Sequence, residues 1–173
     1  MTAPAPGLVP ALPQEPFDTA ADSVNAWRGR CLDAFARAEA AVTECLVCLS
    51  TVAGKEQAIR MPHLVGQRME ALNQALAAIS NPGPEVGHAQ SALTALRAHG
   101  GLRTMLCHGV GSITLDRNAR WTVVLRLTAL RSRRVVRDAL TLTEREAADL
   151  RDELVRASKI LCAQLGQVRA RSS

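Results

Sequence analysis

Apolar residues recur at steps of three and four along much of the chain, which is the spacing of one buried face of an α-helix. The longest such stripe consists of Val24, Trp27, Cys31, Phe35, Ala38, Val42, Cys45 and Leu49. It predicts a long first helix that begins at Asp18 or Asp22, both of which are good N-cap residues, and ends near Gly54.

Two shorter stripes follow, separated by prolines and glycines. The second lies between Pro62 and the turn 81–83 and contains Leu64, Met69, Leu72, Leu76 and Ile79. The third begins at Pro84, in the first turn of its helix, and contains Ala89, Leu93 and Leu96. A short helical segment from Leu102 to Cys107 is expected after the Gly100-Gly101 pair.

The pattern then changes to strict alternation. Trp121, Val123, Leu125 and Leu127 alternate with Thr122, Val124, Arg126 and Thr128. A β-branched stretch precedes them, and the polar segment 116–120 separates the two. This period of two predicts a half-buried β-hairpin that must lie on the helices or on a partner.

The last helix has the clearest start signal. Thr143 and Glu146 have the spacing of a capping box, and an apolar stripe follows at Leu150, Leu154, Leu161, Leu165 and Val168. The elements together predict a mainly α protein, a helical bundle of four to five helices with an inserted β-hairpin. With few aromatic residues and no tyrosine, the core must be built from Leu, Val and Ala.

The proline distribution suggests the domain boundaries. Five of the eight prolines fall within the first 16 residues, so we expect a disordered leader over 1–17, one helical domain over 18–168 and a short tail over 169–173. The chain has no basic, apolar signal-peptide pattern and no apolar run long enough to span a bilayer. Its five cysteines lack disulfide-framework spacing. These features predict a cytoplasmic protein without a membrane partner.

Charge adds a candidate nucleic-acid surface. The formal net charge is +5, and all but two of the 21 basic residues are arginines. This excess suits phosphate binding, but it is also the composition that a GC-rich genome produces. The densest cluster lies around the hairpin and contains Arg117, Arg120, Arg126, Arg131, Arg133, Arg134 and Arg137. These arginines could bind RNA phosphates or simply form a solvated face.

Cys45 and Cys48 have the C-x-x-C spacing of a redox or zinc pair. They lie within the first apolar stripe, however, and no second C-x-x-C or histidine pair supplies further ligands. We therefore expect the two cysteines to pack in the core, and we expect no metal and no cofactor.

Arg103 and His108 form the one combination that suggests catalysis. His108 ends an apolar segment just before Gly109, and an unperturbed histidine titrates close enough to neutral pH to accept or donate a proton. Arg103 offers a permanent cation with five N–H donors for a phosphate. A step of five residues turns about 140° around a helix, so the site must be composite or the helix must unwind.

The segment L-R-T-M-L-C-H-G, Leu102 to Gly109, resembles the R-x4-6-H signature of the HEPN superfamily. The residue after the arginine, often Asn or Asp in that signature, is Thr104 here. The resemblance implies a dimeric helical bundle and a metal-independent ribonuclease, such as a toxin or defence effector, in which Arg103 and His108 are the catalytic pair. Arg103 would hold the phosphate, and His108 would transfer a proton during attack by the ribose 2′-hydroxyl.

Two functions therefore stay open. The first is a HEPN-like homodimer that binds RNA and cleaves it, with an antitoxin-like protein as a further partner. The second is a non-catalytic interaction or regulatory module, in which Arg103 pairs with an acid and His108 caps its helix. The stripe from Leu150 to Val168, the first helix and the hairpin are expected to offer apolar surface for dimerisation.

Overall fold

Helices precede and follow a small antiparallel sheet in the chain. The computed structural model describes residues 14–51, 62–131 and 134–172. The elements are α1 (Gln14–Thr51), α2 (Val65–Ala77), α3 (Pro84–Arg97), α4 (Gly100–His108), β1 (Val110–Leu115), β2 (Trp121–Arg131), β3 (Arg134–Thr143) and α5 (Glu144–Ser172). The prediction of a mainly α bundle with an inserted hairpin is confirmed.

The two long helices α1 and α5 pack against each other and form the centre of the core. Every residue of the predicted first stripe, from Val24 to Leu49, is buried. The Ser158 hydroxyl of α5 is also buried and donates to the Ala34 carbonyl of α1 at 2.7 Å. Because this hydroxyl is hydrogen-bonded, its burial between the helices carries no penalty for an unpaired polar group.

Both long helices extend beyond their predicted bounds. Helix α1 begins at Gln14, before both predicted N-caps and inside the predicted leader 1–17, of which 1–13 lie outside the described residues. Pro16 lies in its first turn, where a missing N–H breaks no helical hydrogen bond. Helix α5 continues through the predicted tail to Ser172, where Arg169 pairs with Glu44 and Arg171 with Glu85. The predicted end near Gly54 lies outside the described residues.

The sheet has one strand more than the predicted hairpin. Its strand order is β1-β2-β3. Val123 of β2 lies opposite Ile113 of β1 on one side and opposite Leu142 of β3 on the other. Strand β3 was missed because its inner face is uneven: Leu142 is buried and Val136 and Leu140 are half-buried, but Arg134 and Asp138 on the same face are exposed. A strand with little buried surface carries no clear period of two in its sequence.

The inner face of the sheet packs on the helices. Trp121, Val123, Leu125 and Leu127 are all buried, as the alternation predicted. The Trp121 ring lies against Trp27 of α1, with 6.5 Å between the ring centroids. The Trp27 indole N–H donates to the Ala147 carbonyl of α5 at 2.7 Å. Trp27 thus joins α1, α5 and the sheet at one point.

The predicted capping box is present where β3 passes directly into α5. The Thr143 N–H donates to the Glu146 carboxylate at 2.8 Å, and the Glu146 N–H donates to the Thr143 hydroxyl at 3.4 Å. The hydrogen bond from the Thr143 backbone holds the pKa of Glu146 below its usual value. Helix α5 therefore begins at a fixed residue relative to the sheet.

Most of the apolar stripe of α5 is buried against other helices of the same chain. Leu154, Leu161, Leu165 and Val168 are buried, and α5 packs on both α1 and α3. The expectation that this stripe offers spare apolar surface for dimerisation is therefore wrong. The exposed large apolar residues include Val110, Leu130 and Val135, which lie on the sheet.

Candidate phosphate-binding site

Helix α4 carries Arg103 and His108, packs on α1, and leads directly into the sheet through Gly109. The Gly109 N–H donates to the Met105 carbonyl at 2.8 Å. A Cβ atom at position 109 would lie 2.4 Å from that carbonyl oxygen, so the close approach requires glycine. The helix end that carries His108 is thus tied to the first strand by a single residue.

Arg103 is held by Glu39 of α1. Its Nε donates to Glu39 Oε1 at 2.5 Å and its Nη2 donates to Glu39 Oε2 at 3.3 Å. The hydrogen bond to Glu39 raises the pKa of Arg103, so the guanidinium stays charged. Among the described residues, none accepts a hydrogen bond from Arg103 Nη1. One edge of the guanidinium is therefore occupied, and the other remains available to a second anion.

His108 is exposed at the last position of α4, and none of the described residues pairs with its imidazole. The helix end is capped by Arg28 of α1 instead. Arg28 Nε donates to the Leu106 carbonyl at 2.6 Å, and its Nη2 donates to the Gly109 carbonyl at 3.3 Å. Arg28 thus fixes the backbone on both sides of His108 and leaves the histidine side chain free.

Within one chain, His108 does not line the cleft that Arg103 lines. Arg103 lines a cleft of about 250 Å³ together with Phe35, Val65, Gly66, Met69, Leu96, Arg97, Gly100 and Thr104. His108 does not line this cleft, in agreement with the rotation of about 140° that five helical residues impose. Glu39 and Arg28, the two residues that position α4 and its arginine, were missed because neither has a sequence signal near the motif.

The arginines around the sheet lie on its turns and strands. Arg117 and Arg120 flank the β1–β2 turn, where the Asp116 carboxylate accepts hydrogen bonds from the Asn118 and Arg120 N–H groups at 2.8 and 2.9 Å. Arg126 is on β2, and both Arg134 and Arg137 are on β3; all five are exposed. The strand β2 also includes Arg131, whose side chain lies outside the described residues, as does all of Arg133.

These arginines differ from most of those on the helices. The helical arginines that lie within ion-pair distance of a carboxylate are Arg37, Arg97, Arg103, Arg145, Arg151, Arg169 and Arg171. In the part of the chain that the structure describes, no carboxylate pairs with Arg117, Arg120, Arg126, Arg134 or Arg137. Arg30, Arg156 and Lys159 on the helices are also exposed without a described carboxylate partner, but the sheet carries the densest group of such cations.

Cys45 of the C-x-x-C pair packs in the core as expected, whereas Cys48 is only half-buried. Cys45 is fully buried in the core, and burial raises the pKa of its thiol to about 11. A thiol with so high a pKa is a poor nucleophile and a poor metal ligand near neutral pH. Across residues 14–51, 62–131 and 134–172, no group of three or more His, Cys, Asp or Glu side chains could hold a metal ion.

The fold and the site define a mainly helical protein with a small antiparallel sheet, and the arginines described on that sheet are exposed and have no described carboxylate partner. Comparison of the chain with protein-family models, curated proteins and solved structures finds no significant match. Among the described helices, none is both long and apolar enough to cross a membrane.

Proposed function

We propose that this chain is a HEPN-like RNA-binding protein that holds the RNA backbone on its sheet. The observation that carries the proposal is the set of exposed arginines, Arg117, Arg120, Arg126, Arg134 and Arg137, that no described carboxylate neutralises. An exposed guanidinium without a carboxylate partner keeps its donors for a phosphate and releases counterions when a phosphate binds.

The first test is the salt dependence of RNA binding. If each of these five arginines neutralises one phosphate, the logarithm of the association constant should fall with the logarithm of salt concentration with a slope of roughly −3.5. Affinity should then drop about a hundredfold between roughly 50 and 200 mM salt. Fluorescence anisotropy with a labelled RNA measures this slope. No binding at the lowest salt, or a slope weaker than about −1, would contradict the proposal.

A second candidate function, RNA cleavage, is supported by the free edge of Arg103 and the exposure of His108. Arg103 would hold the non-bridging phosphate oxygens through Nη1 while Glu39 fixes the other edge of its guanidinium. His108 would accept the proton of the ribose 2′-hydroxyl as that oxygen attacks phosphorus. It would then return a proton to the 5′-oxygen as the bond from phosphorus to that oxygen breaks.

This cleavage site needs two copies of the chain. A step of five residues keeps Arg103 and His108 off one face of α4, and the Arg103 cleft does not include His108. In a symmetric homodimer, the Arg103 cleft of one copy could instead face the His108 of the other. We therefore propose cleavage only for a dimer in which the α4 segments lie near the two-fold axis.

A further inference from the structure

One face of the sheet is open, because the helices cover only the other. The strand register places the side chains of Val110, Ser112, Thr114, Thr122, Val124, Arg126, Thr128, Leu130, Val135, Arg137, Ala139, Thr141 and Thr143 on this open face. The buried residues Val123, Leu125 and Leu127 all point to the opposite face. The open face therefore lacks a partner within the described chain.

The open face is cationic and rich in hydroxyl groups. Its strand positions include two arginines, five threonines, one serine and five apolar residues, among them exposed Val110, Leu130 and Val135, but no Asp or Glu. Asp138, the one acidic residue of β3, lies opposite Leu127 and therefore belongs to the inner face. A polyanion thus fits the face by charge, whereas a second copy of the same face would bring arginines together.

The centre of the open face has a compact arrangement. Thr128 is directly opposite Arg137, and Arg126 is directly opposite Ala139. Arg137 is a diagonal neighbour of Arg126, and Thr141 follows Ala139 on the same face. Directly opposite side chains lie about 5 Å apart, and Arg126 Nη1 donates to the Ser112 hydroxyl of β1 at 3.1 Å, so guanidinium and hydroxyl groups lie close together across the middle of the face.

The open face has no aromatic side chain. The sheet contains a single tryptophan, Trp121, which is buried on the inner face, and the whole chain has no tyrosine. Proteins that hold single-stranded RNA gain much of their affinity from stacking bases on aromatic rings. This surface cannot provide such stacking, but it can contact phosphates and 2′-hydroxyl groups.

We infer that the open face binds double-stranded RNA by its backbone, with Arg126 and Arg137 on phosphates and Thr128 and Thr141 on ribose 2′-hydroxyls. This inference rests on the proposed RNA-binding function and names its substrate class. The 2′-hydroxyls of an RNA duplex line a wide, shallow minor groove, which a flat sheet can reach. A threonine hydroxyl both donates and accepts, so it can pair with a 2′-hydroxyl in either direction.

The test compares three labelled probes on the full chain: a short RNA duplex, one of its strands alone, and the DNA duplex of the same sequence. We expect the RNA duplex to bind about tenfold more tightly than the single strand, and several-fold more tightly than the DNA duplex. The double variant Thr128→Val and Thr141→Val should remove most of the preference for RNA over DNA. Thr94→Val on α3, an exposed threonine away from the sheet, is the matched control.

The alternative results separate the inference from the proposed function. Tighter binding of the single strand than of the duplex would overturn the inference and leave the RNA-binding proposal standing. An unchanged RNA-to-DNA preference in the threonine variant would also overturn it. If none of the three probes binds, both proposals fail. If Leu130→Glu dissociates a dimer in light scattering and leaves RNA affinity unchanged, the open face binds a second copy, and the inference is wrong.

Discussion

Replacing His108 by alanine should lower the rate of RNA cleavage by about 10²–10⁴ if the α4 site is catalytic, because proton transfer by a positioned histidine is worth that factor. The fold should not change, since the His108 side chain is exposed and Arg28 caps the helix end. Gel assays of labelled RNA over a broad panel measure the rate. His88→Ala on α3, also exposed, is the matched control and should cleave at the wild-type rate.

Two further measurements sharpen this prediction. Arg103→Ala should lower the rate by a similar factor through loss of charge stabilisation at the phosphate. In a composite site, mixing Arg103→Ala chains with His108→Ala chains should restore part of the activity, because a mixed dimer contains one intact pair. If the wild-type protein cuts no RNA, or if the His108 variant cuts as fast as the wild type, the catalytic candidate is wrong. The chain is then a non-catalytic binding or regulatory module.

The largest effect on stability is expected at Trp27. Trp27→Ala should lower the free energy of unfolding by about 3–5 kcal/mol, because it leaves a large cavity where α1, α5 and the sheet meet. It also removes the contact with Trp121 and leaves the buried Ala147 carbonyl without its side-chain donor. Urea unfolding followed by circular dichroism measures the change.

A matched aromatic control is available in the same helix. Phe17 is 38% exposed near the start of α1, so Phe17→Ala should cost less than about 1 kcal/mol. Trp27→Phe keeps most of the ring volume and loses the N–H, so its loss of unfolding free energy should lie between the losses of the two alanine variants. If Trp27→Ala and Phe17→Ala lower the free energy of unfolding equally, Trp27 does not join the helices to the sheet as described.

The parts of the fold that were predicted correctly are those with local patterns. The α1 stripe repeats over seven turns, the β2 alternation covers eight residues, and Thr143 and Glu146 lie three positions apart. In each case the physical cause, burial of one face or capping of one helix end, selects residues at regular spacing within one segment. Such causes leave a period or a spacing that a sequence shows directly.

The features that were missed depend on distant residues or on weak burial. Glu39 pairs with Arg103 across 64 positions, and Arg28 reaches the Leu106 carbonyl across 78. Neither contact produces a period or a motif. On strand β3, buried Leu142 and half-buried Val136 and Leu140 share the inner face with exposed Arg134 and Asp138, so the sequence shows only a weak period of two. The candidate catalytic pair was named from its motif, and the five-residue step already predicted that its two side chains would not share one helix face.

We propose that RNA binds mainly through the arginines of the sheet rather than through basic residues of α1 and α5, and two triple variants of equal charge test this directly. One replaces Arg117, Arg126 and Arg137 on the sheet with glutamine. The other replaces Arg30, Arg156 and Lys159, which are exposed on α1 and α5 and form no ion pair with a described residue. We expect the sheet variant to lose RNA affinity by about a hundredfold at roughly 0.1 M salt, and the helix variant to stay within about threefold of wild type. Equal losses in the two variants would contradict the account.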